Sequence, residues 1–332
     1  MKAASSIFAA AQPGNSEVVS AGVPVAVAAD ANFSLNDWAQ KQRDAVEQAL
    51  SQWVVSPADS AGLAGLGDAM RYAVLDGGKR LRPLLALAAC EAVSGNRDAA
   101  LRTACAVELI HAYSLVHDDL PCMDNDLLRR GKPCVHVKFG QAQALLAGDA
   151  LQALAFEVLT PDDGSVDAAL QARLCRMLAA AAGCAGMAGG QAIDLASVGL
   201  QLNSAQLHQM HRLKTGALLQ ASVLMGASCG DLSPSVHAAL SNYGTCVGLA
   251  FQVVDDVLDV TASSATLGKT AGKDAAQVKP TFVSIMGLVA SQAYAQQLLA
   301  KALSSLDAVD AEVSGTTAAL RCLADMLVNR QS

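Results

Sequence analysis

Two clusters of aspartate residues have the types and spacing of a metal site. The first cluster is HDDLPCMDND at 117–126, which follows an apolar run, and the second is DDVLD at 255–259, which lies inside another. On a helix, Asp255 and Asp259 share a face, and their charges repel each other more strongly in apolar surroundings. A bound divalent cation reverses that repulsion, and carboxylate oxygens suit Mg²⁺, or Mn²⁺ as an alternative, better than zinc.

The first cluster needs a bend in the chain to act as one site. Asp118 and Asp124 are six residues apart, which would place them on different faces of a continuous helix. Pro121 lacks an amide proton and clashes with the preceding turn. We therefore expect a helix to end near Leu120 and the chain to return Asp124 toward Asp118.

Basic groups match the aspartates at four places in the chain. Magnesium sites with few protein ligands usually keep phosphate oxygens as the others, and phosphates attract Lys and Arg. The basic groups lie at 77–83 (GGKRLRP), 127–132, 211–216 and 268–279. Gly77 and Gly78 would let an anion approach a helix N-terminus. The residues alone thus indicate a metal–phosphate site.

The elements that position these residues are predicted to be helices. Alanine contributes 66 of the 332 residues, and no proline occurs between Pro161 and Pro234, which favours long unbroken helices. We predict an all-α fold, a single large helical bundle over residues 34–332. The predicted helices span about 37–55, 62–75, 80–94, 98–120, 141–159, 167–183, 185–197, 204–229, 235–261, 282–304 and 316–329.

Composition also narrows the class of protein. The net charge of −7, from 23 basic and 30 acidic residues, argues against a nucleic-acid partner. The apolar windows at 232–254 and 281–300 are interrupted by polar residues, so we predict no membrane span. Nine cysteines without CxxC spacing indicate reduced core thiols and a cytoplasmic location. Residues 1–33 are interpreted as a disordered extension.

Taken in order, these motifs resemble the trans-isoprenyl diphosphate synthase family over about residues 36–330. The similarity rests on GGKRLRP at 77–83, the first aspartate motif with Arg129 and Arg130, KTG at 214–216, and FQ at 251–252 before the second motif. It is closest to the bacterial farnesyl-type members, which also share HAYSL at 111–115 and GMAGGQAID at 186–194. The family fold is a helical bundle around a central substrate cavity.

The resemblance implies a reaction and a role for each site residue. Family members join isopentenyl diphosphate head-to-tail to dimethylallyl or geranyl diphosphate, as Mg²⁺-dependent homodimers. By likeness, the metal ligands are Asp118, Asp124 and Asp255, supported by Asp119, Asp256 and Asp259. The cations on the leaving diphosphate are Arg129, Lys214 and Lys269. The groups that bind isopentenyl diphosphate are Lys79, Arg82, His111 and Arg130. The groups facing the carbocation are Gln252 and the carbonyls near Lys214 and Thr215.

The resemblance also predicts the length of the product. The growing tail would run along the helix that ends in the first motif, and Tyr113 lies five residues, about 7.5 Å, before Asp118. Tyr113, with Ser114 beside it, would close the pocket after a fifteen-carbon product, farnesyl diphosphate. Arg80 is either substrate-facing or a surface residue, and His117 is interpreted as structural.

Several other functions remain open. Related enzymes make geranyl or geranylgeranyl diphosphate. A regulatory subunit of a prenyl synthase heteromer would usually lose one acidic motif, and a class I terpene cyclase would lack the 77–83 motif. A helical structural or binding protein is the remaining alternative.

Overall fold

Helices make up nearly all the regular structure of this protein. The computed structural model describes residues 33–55, 62–75, 77–200, 202–261 and 281–330. Its α-helices are α1 (Leu35–Trp53), α2 (Leu66–Val74), α3 (Leu81–Ala92), α4 (Arg97–Asp118), α5 (Val135–Phe139), α6 (Gln141–Leu159), α7 (Ala168–Ala182), α8 (Met187–Ala196), α9 (Ser204–His211), α10 (Ala217–Ala227), α11 (Pro234–Thr261), α12 (Phe282–Met286), α13 (Leu288–Asp310) and α14 (Ala318–Val328).

Two smaller elements interrupt the helices. A π-helical turn, Arg212–Gly216, joins α9 to α10. An antiparallel hairpin pairs β1 (Leu128–Arg129) with β2 (Lys132–Pro133) directly after the first aspartate motif. Neither was predicted, because a two-residue strand and a single extra residue per helical turn leave no periodic signal in the sequence.

The predicted all-α bundle is confirmed, and most boundaries agree within a few residues. One prediction was wrong in detail: the helix expected at 282–304 is divided at Gly287 into α12 and α13, and α13 continues to Asp310. The short helix α5 was also not predicted. The prediction for residues 1–33 lies outside the described residues except for Phe33.

Side-chain caps fix where several helices begin. Ser34 accepts a hydrogen bond from the Asp37 amide, and Asn96 accepts bonds from the amides of Asp98 and Ala99 at 2.9 and 3.1 Å. Such caps satisfy amides that have no partner within the helix. The cap at Asn96 therefore sets the start of α4, the helix whose last residue is Asp118.

The core consists of two apolar clusters that share two central helices. One cluster gathers side chains of α1, α2, α4, α6 and α7, and the other those of α11, α13 and α14. Helices α3 and α10 contribute to both clusters and pack against each other. Because both are apolar around their whole circumference, they are buried at the centre of the bundle.

Two helices are long and apolar enough to cross a membrane by length and composition alone. In α4, 72% of the apolar window is buried inside the protein, as expected of a core helix. In α6, only 39% is buried, and Leu145 and Leu146 on its surface are about half exposed. Core helices of soluble proteins meet the same criterion, so these two helices are weak grounds for a membrane span.

Arg80 is neither substrate-facing nor on the surface. Its guanidinium is buried and donates to Glu47 at 2.7 Å, to Glu108 at 2.5 Å and to the Val74 carbonyl at 2.6 Å. Arg80 also takes a left-handed backbone conformation, with φ of +51°, just before α3. The ion pairs therefore fix the entry of α3 to α1 and α4.

Replacing Arg80 should destabilise the fold. In Arg80→Ala, Glu108 would be left as a buried charge without its guanidinium, which costs about 3–5 kcal/mol of unfolding free energy. The control is Arg43→Ala, because Arg43 donates to the exposed side chain of Gln40 at 3.0 Å, and the loss of such a surface contact changes stability by only about 0.5 kcal/mol. Urea denaturation measures both, and equal losses would contradict the structural role of Arg80.

Candidate active site

The first aspartate motif forms a tight turn at the C-terminal end of α4. Asp118 is the last residue of the helix, and the amide of Asp124 donates to the Asp118 carbonyl at 2.8 Å. The amides of Met123 and Asn125 both donate to the Leu120 carbonyl, at 2.9 and 3.1 Å. The backbone thus returns Asp124 to Asp118, the bend that Pro121 led us to expect.

Asp119, the residue after Asp118, is held by Arg129. The Nε atom of Arg129 lies 3.0 Å from each carboxylate oxygen of Asp119, and its Nη2 atom also donates to Asp119. Asp119 is only 3% exposed. A bidentate pair of this kind satisfies the carboxylate and fixes the guanidinium. Asp119 therefore anchors the loop through Arg129, and its predicted supporting role in metal binding stays a prediction.

The second aspartate motif lies in the last turns of α11. Asp256 is buried and accepts a hydrogen bond from Gln252 Nε2 at 2.9 Å and one from the Phe282 amide at 2.7 Å. Asp255 forms an ion pair with Arg330, whose guanidinium also lies 4.5 Å above the Phe251 ring. Asp259 is 7% exposed. Asp256 thus secures the start of α12, and Asp255 is the more accessible carboxylate.

Lys214 lies in the π-helical turn, opposite the first motif. Its Nζ atom donates to Asp194 of α8 at 2.5 Å. At the neighbouring position, the Thr215 hydroxyl donates to Gln252 Oε1 at 3.1 Å, and Gln252 in turn donates to Asp256. This chain of hydrogen bonds joins the turn to the second motif. Single π-helical turns often occur at functional sites because they redirect side chains.

A second group of cations surrounds His111. Burial lowers the pKa of His111 well below its usual range, and the nearby charges of Arg82 and Arg130 lower it further. Burial is the larger cause, and together they keep the imidazole neutral at physiological pH. The Nε atom of Arg82 is buried without a hydrogen-bond partner. Such a donor is costly unless a ligand completes it.

The Arg130 side chain passes over Gly77 and Gly78 of the first basic motif and so lies near His111 and Arg82. Its Nη1 atom donates to the Gly77 carbonyl at 2.9 Å. Gly78 has φ of +104°, and a side-chain carbon there would lie 2.7 Å from the guanidinium. Position 78 therefore favours glycine for two reasons: the backbone has a positive φ, and a side chain would collide with the Arg130 guanidinium. Lys79 lies nearby, where burial and then the charge of Arg330 lower its pKa.

A cavity of about 370 Å³ extends between α4, α8 and the π-helical turn. We call the part of its lining with Asp118 and Lys214 the polar end and the part with Tyr113 and Leu195 the apolar end. The lining residues are Arg82, His111, Tyr113, Ser114, Leu115, His117, Asp118, Met123, Met187, Ala188, Gln191, Ala192, Leu195, Lys214 and Thr215. The structure thus brings seven predicted site residues into one cavity, with Asp118 and Lys214 at the polar end.

The remaining predicted residues lie around this cavity. Asp119, Arg129 and Arg130 line a smaller cavity of about 90 Å³. Lys79 lies near Asp255 and Arg330, and Gln252 contacts Thr215. Lys269 lies outside the described residues.

Sequence reasoning missed three residues at the site. Asp194 holds Lys214, and Arg330 pairs with Asp255. The amide of Gln191 is buried on the cavity wall, and neither its Nε2 nor its Oε1 atom has a hydrogen-bond partner. Asp194 and Gln191 lie in the GMAGGQAID segment, and the resemblance of that segment to the family was the sequence signal that could have identified them. Arg330 had no motif around it.

The carboxylates fit a divalent cation as two open half-sites. Among the described residues, no three His, Cys, Asp or Glu side chains form a closed metal cluster. The donors present are carboxylate oxygens, which Mg²⁺ prefers, and phosphates complete such open sites. Burial, more than the neighbouring Asp124, raises the pKa of Asp118 to about 6, although Lys214 opposes this. The charge of Asp118 is therefore poorly compensated without a cation.

This raised pKa predicts how metal-free protein responds to pH. An unfolded Asp titrates near pH 3.9, so the folded state binds the proton more tightly, and stability falls as pH rises from about 4 to 6. In EDTA at pH 7.5, Asp118→Asn should be more stable than wild type by about 1–2 kcal/mol, since partial exposure reduces the full effect. The difference should vanish below pH 4. Thermal melts from pH 3.5 to 8 test this, and a pH-independent difference would contradict it.

Known proteins share this architecture. A probable farnesyl diphosphate synthase from Sinorhizobium fredii is 50% identical over 269 residues, which are 80% of each chain. The chloroplastic heterodimeric geranylgeranyl pyrophosphate synthase large subunit 1 of Arabidopsis thaliana is 48% identical over 271 residues, 80% of this chain and 72% of that protein. Helicobacter pylori geranyltransferase, solved with magnesium and isoprenyl diphosphate, superimposes with a TM-score of 0.77 at 33% identity, covering 90% of this chain and 97% of its own.

The family assignment rests on most of the chain. The polyprenyl synthetase family matches residues 64–318, a range that contains both aspartate motifs and each basic group. With relatives at half identity over four fifths of the sequence, this chain belongs to the polyprenyl synthetase family, among the trans-prenyl diphosphate synthases.

Proposed function

We propose that this prenyltransferase condenses isopentenyl diphosphate with dimethylallyl and then geranyl diphosphate, and that its main product is farnesyl diphosphate. The observation that carries the proposal is that Asp118, Lys214 and Tyr113 all line the 370 Å³ cavity, with Tyr113 five residues before Asp118 on α4. A relative named as a probable farnesyl diphosphate synthase supports the fifteen-carbon product.

The allylic diphosphate would bind at the polar end of the cavity. Asp118, Asp124 and Asp255 would hold Mg²⁺, which supplies charge stabilisation to the departing diphosphate oxygens when it is bound. Lys214 would contact the same oxygens, held in place by Asp194 at 2.5 Å. Arg129, and Lys269 beyond the described residues, would add positive charge. The residues thus favour loss of diphosphate, because they stabilise the charge that develops as it leaves.

Isopentenyl diphosphate would bind beside it, among the second group of cations. Arg82 offers an unpartnered Nε donor, and Arg130 is held over Gly77. Lys79 completes the group from the N-terminal side of α3. His111 is neutral there because of burial and its neighbouring cations, so it would act as a hydrogen-bonding group. Placing the double bond beside the allylic carbon makes the condensation intramolecular in effect.

The carbocation would be protected by the walls of the cavity. Gln252 and Thr215 are joined by a hydrogen bond, and their oxygens would stabilise positive charge in the reacting region. His211, next to the π-helical turn, has its pKa lowered to about 3 by burial and by Lys214. It is therefore neutral, and too weak a base to accept a proton at neutral pH. The proton lost at the end of the reaction would pass to the diphosphate that has just left.

We further propose a cytoplasmic homodimer in which residues 34–332 act as one domain. All nine cysteines, which lie within the described residues, are free thiols, as expected in a reducing compartment. The exposed Leu145 and Leu146 of α6 provide an apolar face of the kind that subunits bury. Isopentenyl, dimethylallyl and geranyl diphosphate are the proposed substrates.

A geranylgeranyl product is the second candidate, because a relative of that name is 48% identical. Incubation with radiolabelled isopentenyl diphosphate and dimethylallyl diphosphate, followed by chromatography of the dephosphorylated products, separates ten-, fifteen- and twenty-carbon chains. A main product of fifteen carbons supports the proposal, and one of twenty carbons favours the second candidate.

Loss of either aspartate motif should abolish turnover. Asp118→Ala and Asp255→Ala should each lower kcat by roughly 100-fold or more, since each removes a ligand that would position charge against the diphosphate. EDTA should have the same effect on wild type, and added Mg²⁺ should restore it. Asp162→Ala, in an exposed loop, is the control. Near-full turnover in either motif variant would show that the metal assignment is wrong.

Shortening Tyr113 should lengthen the product. In Tyr113→Ala, the apolar end of the cavity loses an aromatic side chain, so we expect a several-fold rise in the twenty-carbon fraction. Phe156→Ala, on the part of α6 that does not line the cavity, is the control for lost aromatic volume in the core. An unchanged product length in Tyr113→Ala would contradict the role of Tyr113 as the cavity floor.

A further inference from the structure

Tyr113, the residue proposed to close the cavity, is linked to a second helix through His117. Tyr113 and His117 are four residues apart on α4, and their rings meet edge to face with centroids 5.7 Å apart. Both line the 370 Å³ cavity. Position 117 precedes Asp118, so this pair spans the cavity wall from the first aspartate motif to its apolar end.

Helix α6 holds this pair at two points. The Nε2 atom of His117 donates to the Leu145 carbonyl at 3.0 Å. Two turns farther along α6, the Gln152 side chain lies close enough to Tyr113 to lower the pKa of its hydroxyl, against the larger effect of burial, which raises it. The rings on α4 are therefore fixed by α6, and their positions depend on how closely the two helices approach.

Gly148 allows that close approach. A side-chain carbon at position 148 would lie 2.0 Å from His117 Nε2, 2.4 Å from Cδ2 and 2.8 Å from Cε1. All three atoms belong to a rotatable ring, and none belongs to the backbone. An added methyl group would therefore displace the ring and leave the helices in place. Because the ring is in contact with α6, it can move only away from that helix, into the cavity.

We propose that His117 is a positioning residue for product length, which sets the depth of the cavity by bracing Tyr113 against α6 in the space left by Gly148. This inference rests on the proposed function and adds to it a specificity determinant outside Tyr113 and Ser114. The proposal predicts opposite effects for two substitutions. Filling the space at position 148 makes the cavity shallower, and removing the ring at 117 makes it deeper.

The test compares product lengths of four variants in the chromatographic assay. In Gly148→Ala, the ten- to fifteen-carbon ratio should rise about threefold or more over wild type. In His117→Ala, the fraction of products one isoprene unit longer than the main wild-type product should rise by a similar factor. The double variant should follow His117→Ala, because the added methyl group then has no ring to displace. Asp149→Asn, whose carboxylate lies 3.9 Å from the ring, should match wild type.

The outcomes separate this inference from the proposed function. Product ratios that stay at wild-type values in Gly148→Ala and His117→Ala would overturn the inference alone, provided that melting temperatures are preserved. A double variant that follows Gly148→Ala would do the same, because the methyl group would then act without the ring. If Gly148→Ala fails to fold, His117→Ala and the double variant decide. Wild-type protein that forms no prenyl diphosphate would overturn both.

Discussion

The arrangement of this protein depends on negative charge held at helix ends beside apolar walls. Asp118 ends α4 and lines the 370 Å³ cavity beside apolar side chains such as Leu115 and Met123, and Asp255 lies near the end of α11. Charge in such surroundings is stable only if it is compensated. In the protein without ligands, the charge of Arg330 compensates that of Asp255. The charge of Asp118 is compensated only in part by Lys214, because Lys214 is bound to Asp194. The site therefore favours whatever cation and anion together complete it.

Three aspartates near the site bind groups of the protein itself. Asp119, Asp194 and Asp256 each bind a group of the protein: Arg129, Lys214 and the Phe282 amide, respectively. Asp119 and Asp256 directly follow Asp118 and Asp255 in the chain. Asp194 lies on α8 and binds Lys214, which lines the same cavity as Asp118. Consequently, each acidic motif contains a carboxylate that positions a cationic or backbone group of the protein, and under the proposed function a neighbouring carboxylate of the same motif binds the metal.

The sequence predicted the helices because their signals are local. Alanine content, proline positions and caps such as Asn96 act within one or two turns, and the aspartate spacing implied the bend after Leu120. What it did not predict depends on contacts between distant segments. The π-helical turn, the pairing of Asp255 with Arg330, and the space that Gly148 leaves for His117 join residues that lie far apart in the chain or follow no periodic pattern. The break at Gly287 was missed because apolar residues continue on both sides of it.

Arg80 and Arg82 are two residues apart and of the same type, yet the fold uses them in opposite ways. The guanidinium of Arg80 is fully engaged by Glu47, Glu108 and a carbonyl, whereas Arg82, which lines the cavity, has a buried Nε donor without a hydrogen-bond partner. Under the proposed function, a genetic screen that scores only loss of activity would rank the two positions alike, although loss of Arg80 would reduce the amount of folded protein and loss of Arg82 would weaken substrate binding by folded protein. Measuring protein abundance together with activity would assign each position to its cause.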